Sequence, residues 1–206
     1  MYRVIAYIDG FNLYYGIKQK GWRRFYWLNV EALSRSLLAH DQELRATKYF
    51  TALMSSTPSD PDKSRRQTTY IEALETLPDL QVFFGHFLAK PMKCLKCGVT
   101  WTSYEEKRTD VNIAIEMLND AYQNRFDTAL LISGDSDLAG MVEMIRHLFP
   151  QKRIVVAFPP ARNSNELRKV VNYAFTIGRD KLVASQFPDA VTKPDGFTLH
   201  RPQRWR

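Results

Sequence analysis

Short apolar runs alternate with amphipathic segments along most of the chain. Runs rich in β-branched and aromatic residues have the length of buried strands. They are RVIAYID (3–9), RATKYFTALM (45–54), LQVFFGHFLA (80–89), DTALLIS (127–133) and KRIVVAFPP (152–160). Other segments carry apolar residues at helical spacing. They are VEALSRSLLAH (30–40), DKSRRQTTYIEALETL (62–77), DVNIAIEMLNDAYQN (110–124) and DLAGMVEMIRHLF (137–149). This alternation predicts an α/β fold, with a parallel sheet and helices on both of its faces.

Two segments interrupt the alternation. KPMKCLKCGVTWTSYEEK fits neither pattern and predicts a small cysteine-containing hairpin insertion at about residues 90–107. The pattern also weakens from about Phe187 onward. We therefore expect one domain over residues 1–186, which includes the hairpin, and a basic C-terminal tail over residues 187–206.

The tail has two interpretations. It carries basic residues that suit a phosphate-binding arm, namely Arg201, Arg204 and Arg206. Alternatively, it packs on the domain through Trp205, and packing is the interpretation that we favour.

Bulk composition narrows the class of protein. The chain has 206 residues, of which 45% are hydrophobic, and this suits one domain with a sizeable core. A net charge of +7 favours a polyanionic partner such as nucleic acid, although a basic surface also occurs without one. The apolar runs are too short to span a bilayer, and the N-terminus enters a strand without a signal peptide. We expect a cytoplasmic protein without membrane contact and, with only two cysteines, without a disulfide framework.

Aspartates occupy the ends of predicted strands and the start of a predicted helix. Asp9 ends the first strand, Asp135 and Asp137 follow DTALLIS, and Asp110 opens a helix. Each can be a helix cap or a turn residue. Because parallel strands end at one edge of a sheet, these four acids can also meet there. Clustered carboxylates repel one another, and Mg²⁺ or Mn²⁺ would remove that repulsion and activate water.

Three motifs carry a resemblance to a known family. YIDGFNLYYG, EEKRTDVNIAIEML and LLISGDSDL, in this order and spacing, resemble the NYN domain, a branch of the PIN-like nuclease superfamily that includes LabA-like bacterial proteins. The similarity runs from Tyr2 to about Arg179. It implies a three-layer Rossmann-like sheet and metal-dependent ribonuclease activity. Haloacid-dehalogenase-type phosphatases fit poorly, because Phe11 stands where they need a second Asp.

The resemblance also implies roles for individual residues. The metal-holding and catalytic acids would be Asp9, Asp110, Asp135 and Asp137. Residues that bind substrate or orient the acids would be Asn12, Ser133, Ser136 and Lys107, although capping or a solvated lysine explains them equally simply. Arg108 and Thr109 depart from the family, in which a glycine and a small residue are frequent at these positions.

An aromatic and basic stretch follows the first acid. In YYGIKQKGWRRFYWLNV, residues 14–30, bases can stack on the rings and phosphates can pair with the cations. The candidate RNA-contacting residues are Tyr14, Trp22, Arg23 and Arg24. The alternative is that the rings of this stretch, namely Tyr15, Phe25 and Trp27, belong to the core.

The two cysteines form the motif CLKCG, residues 94–98, with the spacing of a zinc knuckle. A structural zinc site needs four ligands, so Cys94 and Cys97 would need His86 or another subunit to complete it. Two reduced thiols without metal are the interpretation that we favour, and zinc is the lesser alternative.

The sequence thus predicts a hydrolase: a divalent-metal-dependent ribonuclease that takes part in RNA processing or turnover. Its cofactor would be Mg²⁺ or Mn²⁺, and its partner would be RNA, in single-stranded form or otherwise. The alternative is a non-catalytic RNA-binding or regulatory module with the same fold. The oligomeric state is open, and a homo-oligomer is compatible with the sequence.

Overall fold

The computed structural model describes residues 1–206, except for the side chains of Ser103 and Glu105. The strands are β1 (Tyr2–Asp9), β2 (Gln42–Thr51), β3 (Leu80–Phe84), β4 (His86–Lys93), β5 (Thr100–Lys107), β6 (Thr128–Ile132), β7 (Arg153–Phe158), β8 (Tyr173–Thr176), β9 (Ala190–Thr192) and β10 (Thr198–His200). The helices are α1 (Gly10–Gln19), α2 (Val30–Ser36), α3 (Lys63–Leu74), α4 (Thr109–Tyr122), α5 (Ala139–Leu148), α6 (Asn165–Val170) and α7 (Arg179–Ala184).

A parallel sheet of six strands forms the centre of the fold. Its strand order is β3-β2-β1-β6-β7-β8, and every pairing in it is parallel. β1 alternates between two cores: Val4, Ala6 and Ile8 pack with α1, α2 and α3, whereas Ile5 and Tyr7 pack with α4 and α5. The predicted three-layer α/β fold is therefore confirmed. None of the helices in the described chain is long and apolar enough to cross a bilayer.

The hairpin begins earlier than the sequence indicates. LQVFFGHFLA is not one strand: β3 ends at Phe84, and β4 leaves the sheet to pair with β5 in an antiparallel ladder. Gly85 makes this departure sterically feasible, since a Cβ there would lie 2.6 Å from the carbonyl oxygen of Lys107. The hairpin therefore spans His86 to Lys107, and its base lies beside the sheet.

The C-terminal segment packs against the domain. β9 and β10 form a short antiparallel pair, and Trp205 is only 9% exposed. Its ring lies against those of Tyr26, Trp27 and Tyr70. The packing interpretation of the tail is the one that the structure shows. Strands of three residues flanked by proline-containing segments carry too weak a pattern to be recognised in the sequence.

A buried charge network joins the sheet to α4. Lys48 of β2, 3% exposed, donates to Asp120 at 2.6 Å and to Glu116 at 2.7 Å. Asp120 is fully buried and also accepts a hydrogen bond from Tyr7 at 2.6 Å. Arg125 reaches the other oxygen of Asp120 at 3.2 Å. The Asp120 carboxylate is thus compensated from β1, from β2 and from the segment that follows α4.

We expect Lys48→Met to reduce the free energy of unfolding by about 3–5 kcal/mol, because it leaves Asp120 charged and poorly paired in the interior. Urea denaturation measures the effect, and Lys169→Met on the exposed surface of α6 is the matched control. The double variant Lys48→Met with Asp120→Leu should recover part of the loss. Equal stability of Lys48→Met and the parent would show that this network is not needed for folding.

Candidate metal centre

Asp9 lies where β1 turns into α1. It is the N-cap of α1, and one of its carboxylate oxygens accepts a hydrogen bond from the Asn12 backbone at 2.9 Å. Its other oxygen accepts from the Ser133 hydroxyl, also at 2.9 Å. Asp9 is only 4% exposed. Its carboxylate is therefore fixed in orientation by a neighbouring strand as well as by its own helix.

The turn after β6 positions the second acid. The backbone N–H of Asp135 donates to the Ser133 hydroxyl at 3.0 Å, so this hydroxyl links Asp9 with Asp135. The Asn12 side chain accepts from Gly134 N–H at 2.9 Å and joins the same turn to α1. The predicted orienting roles of Ser133 and Asn12 agree with these contacts.

The third acid, Asp110, lies in the first turn of α4. Arg108 precedes this helix with a φ of 80°, the left-handed region that favours glycine. The glycine that the resemblance leads us to expect at this position would adopt this conformation without strain. The backbone N–H of Thr109 donates to Glu106 at 3.1 Å, and its hydroxyl binds the same oxygen. The chain thus turns sharply from β5 and brings Asp110 towards the sheet edge.

Three of the four predicted acids converge. Carboxylate oxygens of Asp9, Asp110 and Asp135 all lie within 4.8 Å of one another. Asp137 is exposed and lies outside this group, because its backbone N–H binds Asp135 at 3.0 Å within a tight 3₁₀ turn. Its charge still contributes to raising the pKa of Asp110. We call Asp9, Asp110 and Asp135 the acidic centre.

The acidic centre has an excess of negative charge. The pKa of Asp9 is raised to about 7. Burial is the main cause, the charges of Asp110 and Asp135 add to it, and the hydrogen bonds from Asn12 and Ser133 oppose it. Burial also raises the pKa of Asp110 to about 6, with smaller contributions from Asp135, Glu106 and Asp137. A group of hard oxygen ligands with this charge fits a divalent cation such as Mg²⁺ or Mn²⁺.

Sequence reasoning missed two charged residues at this site. Glu106 and Arg162 line the same cleft as the acidic centre, together with Phe11 and Tyr15. Arg162 follows the end of β7, and its Nε is buried without a hydrogen-bond partner in the described part of the chain. Its position after a strand of the sheet was the available signal. The sequence carries no such signal for Glu106, because the position of its side chain depends on the turn at Arg108.

The remaining predicted residues lie away from the acidic centre. Ser136 is exposed in the 3₁₀ turn, and Lys107 is exposed at the end of β5. Trp22 packs edge-on against Phe25, and Arg24 lies over the Phe25 ring. Arg23 is exposed on the 3₁₀ turn Arg23–Phe25.

The core alternative for the aromatic stretch is right for two of its three rings. Phe25 and Trp27 are buried. Tyr15 is 41% exposed and lines the acidic cleft. Tyr14 is half-buried, and its ring lies 4.8 Å from that of Tyr26.

Cys94 and Cys97 lie in the turn at the far end of the hairpin. The backbone of Cys94 pairs with Val99 and Gly98, and hydrogen bonds from Cys97 and Lys96 lower the pKa of the Cys94 thiol. His86 is at the opposite end of β4, roughly 26 Å away along an extended strand. A zinc site that combines the two cysteines with His86 of the same chain is therefore wrong. The described side chains bring no histidine or carboxylate into a three-ligand group with these thiols.

Comparison with known proteins agrees with this geometry. The family model for the NYN domain matches residues 3–178. A Pseudomonas putida protein named 6-hydroxy-3-succinoylpyridine 3-monooxygenase HspA is 27% identical over 239 residues, which cover 98% of this chain and 75% of that protein. A crystal structure of a Vibrio parahaemolyticus protein of unknown function superposes with a TM-score of 0.54 and 21% identity, over 87% of this chain and 94% of that one. This second likeness supports the fold alone.

The raised pKa values lead to a test of the acidic centre without divalent cations. Asp9 and Asp110 bind protons more tightly in the folded chain than an unfolded aspartate, whose pKa is about 3.9. Their contribution to the free energy of unfolding should therefore decrease as the pH rises from about 4 to about 7. Urea denaturation of metal-free protein across this range measures it. Asp9→Asn should flatten the dependence, and an unchanged slope in that variant would contradict the assignment.

Proposed function

The chain belongs to the NYN domain family, and from this premise we propose that it is a divalent-metal-dependent ribonuclease. Nuclease-type activity is what the NYN domain suggests. One observation carries the finer proposal: three carboxylates from separate elements of the fold have oxygens within 4.8 Å of one another. Folding of the sheet does not require three carboxylates that repel one another. A phosphodiester-cleaving centre, in contrast, requires oxygen ligands for a cation.

Asp9, Asp110 and Asp135 would hold the cation. When bound, it would supply Lewis-acid activation of water and positive charge at the phosphoryl group. Asp9 is fixed by its two hydrogen bonds and contributes a rigid ligand. Asp110 is half-buried in the first turn of α4 and would complete the ligand set or accept a proton from the attacking water.

Arg162 would bind the phosphate. It lines the cleft beside the acids, where a cation offsets the charge of the substrate without competing for oxygen ligands. Its side chain is half-buried, so little of its charge is lost to solvent screening. Arg162 thus adds substrate affinity to a centre that would otherwise repel a polyanion.

RNA in single-stranded form is the substrate class that we propose. The net charge of +7 favours a polyanion, and the rings of Phe11 and Tyr15 at the cleft are suited to stack on unpaired bases. Arg23 and Arg24 are exposed and suited to phosphate contacts further along a strand. Trp22 is half-buried and supports this turn by packing on Phe25.

A second candidate function comes from the Pseudomonas putida relative, whose name describes a monooxygenase acting on a substituted pyridine. The alignment covers 98% of this chain, which favours testing the same reaction here. Oxygen uptake in the presence of 6-hydroxy-3-succinoylpyridine and a nicotinamide reductant would indicate it. Substrate-dependent oxygen uptake without any cleavage of RNA would favour this function over the nuclease.

We expect Asp135→Asn to reduce RNA cleavage at least about 100-fold, since even the loss of an outer partner of a metal ligand costs up to that factor. The fold should remain intact, because the substitution removes like-charge repulsion. Cleavage of a labelled single-stranded RNA with Mg²⁺ or Mn²⁺ measures it. Asp137→Asn, which is exposed and outside the acidic centre, is the matched control and should retain most activity. Full cleavage in excess chelator would exclude the metal-dependent mechanism.

Arg162→Ala should lower kcat/KM for RNA by about tenfold to a hundredfold, the range expected for loss of a hydrogen bond to a charged group. Binding of the cation alone should not weaken, because Arg162 supplies no ligand to it. Metal titration by calorimetry together with cleavage kinetics separates the two effects. Arg162→Lys keeps the charge and should restore part of the activity. Equal loss of metal affinity and cleavage would mean that Arg162 only supports the fold of the cleft.

A further inference from the structure

A cavity of about 270 Å³ lies on the other side of Phe11 from the acidic centre. It is enclosed by α1, the end of β2, α3 and the C-terminal segment. Its walls include the aromatic rings of Phe11, Tyr14, Phe25, Tyr26, Tyr49, Tyr70 and Trp205. Ligand sites for drug-sized molecules are usually about 300–1,000 Å³, so this cavity suits a single ring system.

The cavity is lined by a tyrosine whose hydroxyl has no hydrogen-bond partner among the described residues. Tyr49 is 7% exposed and lines the cavity, and none of the hydrogen bonds among the described residues uses its hydroxyl. Tyr70 differs, because its hydroxyl donates to the carbonyl of Leu28 at 2.8 Å. The Tyr49 hydroxyl can therefore donate to a ligand that enters the cavity.

Gly10 allows this arrangement. A Cβ at Gly10 would lie 2.6 Å from the hydroxyl oxygen of Tyr49 and 2.7 Å from the carbonyl of Phe50. The tyrosine therefore approaches the start of α1 closely, directly after Asp9. The cavity and the acidic centre are thus built on the same turn of the chain.

Cations surround the opening of the cavity. Lys18, Lys63 and Arg66 line it, and Asp60 is the carboxylate among its described lining residues. Asp60 is already paired with Arg66 and with Arg204. The opening therefore keeps a positive excess next to an aromatic interior. A neutral apolar ligand would make no ion pair with Lys18 or Lys63.

We propose that this cavity binds one planar aromatic ring whose anionic substituent is held at the opening by Lys18 and Lys63. The ring packs among the tyrosines and Trp205, and a polar atom of the ring accepts a hydrogen bond from Tyr49. This site goes beyond the proposed cleavage chemistry, which does not use it. Its ligand is either a nucleotide, free or within an RNA strand, or a small aromatic carboxylate, since both present a ring and an anion.

Calorimetric titration in EDTA tests the site without any cleavage. The probes are uridine 5′-monophosphate, uridine, nicotinate and inorganic phosphate. We expect one anionic ring to bind per chain, uridine to bind about tenfold more weakly than its monophosphate, and phosphate alone not to bind. Tighter binding of the nucleotide assigns the cavity to a nucleotide of the substrate. Tighter binding of nicotinate assigns it to a small aromatic acid.

Two variants with matched controls locate the binding. Lys63→Gln should weaken the anionic probes about tenfold and leave uridine unchanged, whereas Lys20→Gln, exposed and outside the cavity, should have no effect. Tyr49→Phe should weaken every ring about tenfold, and the exposed Tyr173→Phe should not.

The proposal is overturned if neither anionic ring binds at about millimolar concentration, or if both cavity variants bind like the parent. Repeating the titration with Asp135→Asn separates this outcome from the proposed function. The ring should bind to Asp135→Asn even though that variant no longer cleaves RNA. If the parent protein itself shows no nuclease activity, it should still bind the ring equally well.

Discussion

The functional edge of this molecule depends on hydrogen bonds from neutral groups that hold repelling carboxylates together. Ser133 is the central member, because its hydroxyl donates to Asp9 and accepts from the backbone of Asp135. Asn12 closes the same corner through Gly134. Neutral donors fix the orientation of carboxylates without neutralising their charge, so the negative potential remains for a cation. A lysine in place of Ser133 would satisfy the acids and remove that potential.

The chain handles buried charge differently further along the same face of β1. There Lys48 compensates Asp120 directly, with Tyr7 as a further donor. Asp9 and Asp120 both lie on this side of the sheet, yet the described residues pair Asp120 with a lysine and pair Asp9 with neutral donors. This contrast separates a carboxylate that stabilises the fold from one that is kept for a ligand.

The sequence predicts the sheet and most of the acidic centre, because strand and helix periods are local and parallel strands end at one edge. Asp9 and Asp135 follow from that rule, whereas Asp110 reaches the same edge through the turn between β5 and α4. Asp137 does not join them, since the direction of a side chain in a 3₁₀ turn is not determined by periodicity. Glu106 depends on a left-handed residue in a hairpin, and Trp205 packs on Trp27 across most of the chain length. Contacts of this kind are set by tertiary packing and leave no periodic pattern of apolar residues in the sequence.

The hairpin and the acidic centre share a stretch of backbone. β5 runs without a break from the turn that holds the cysteines to Glu106, which binds Thr109 beside Asp110. The hairpin base is therefore part of the site, whereas its tip is remote from it. Shortening the loop at the tip should leave the geometry of the acidic centre intact. Excising the whole segment as a dispensable insert would remove the residue that anchors the first turn of α4. The base of the hairpin is thus a structural support of the acidic centre.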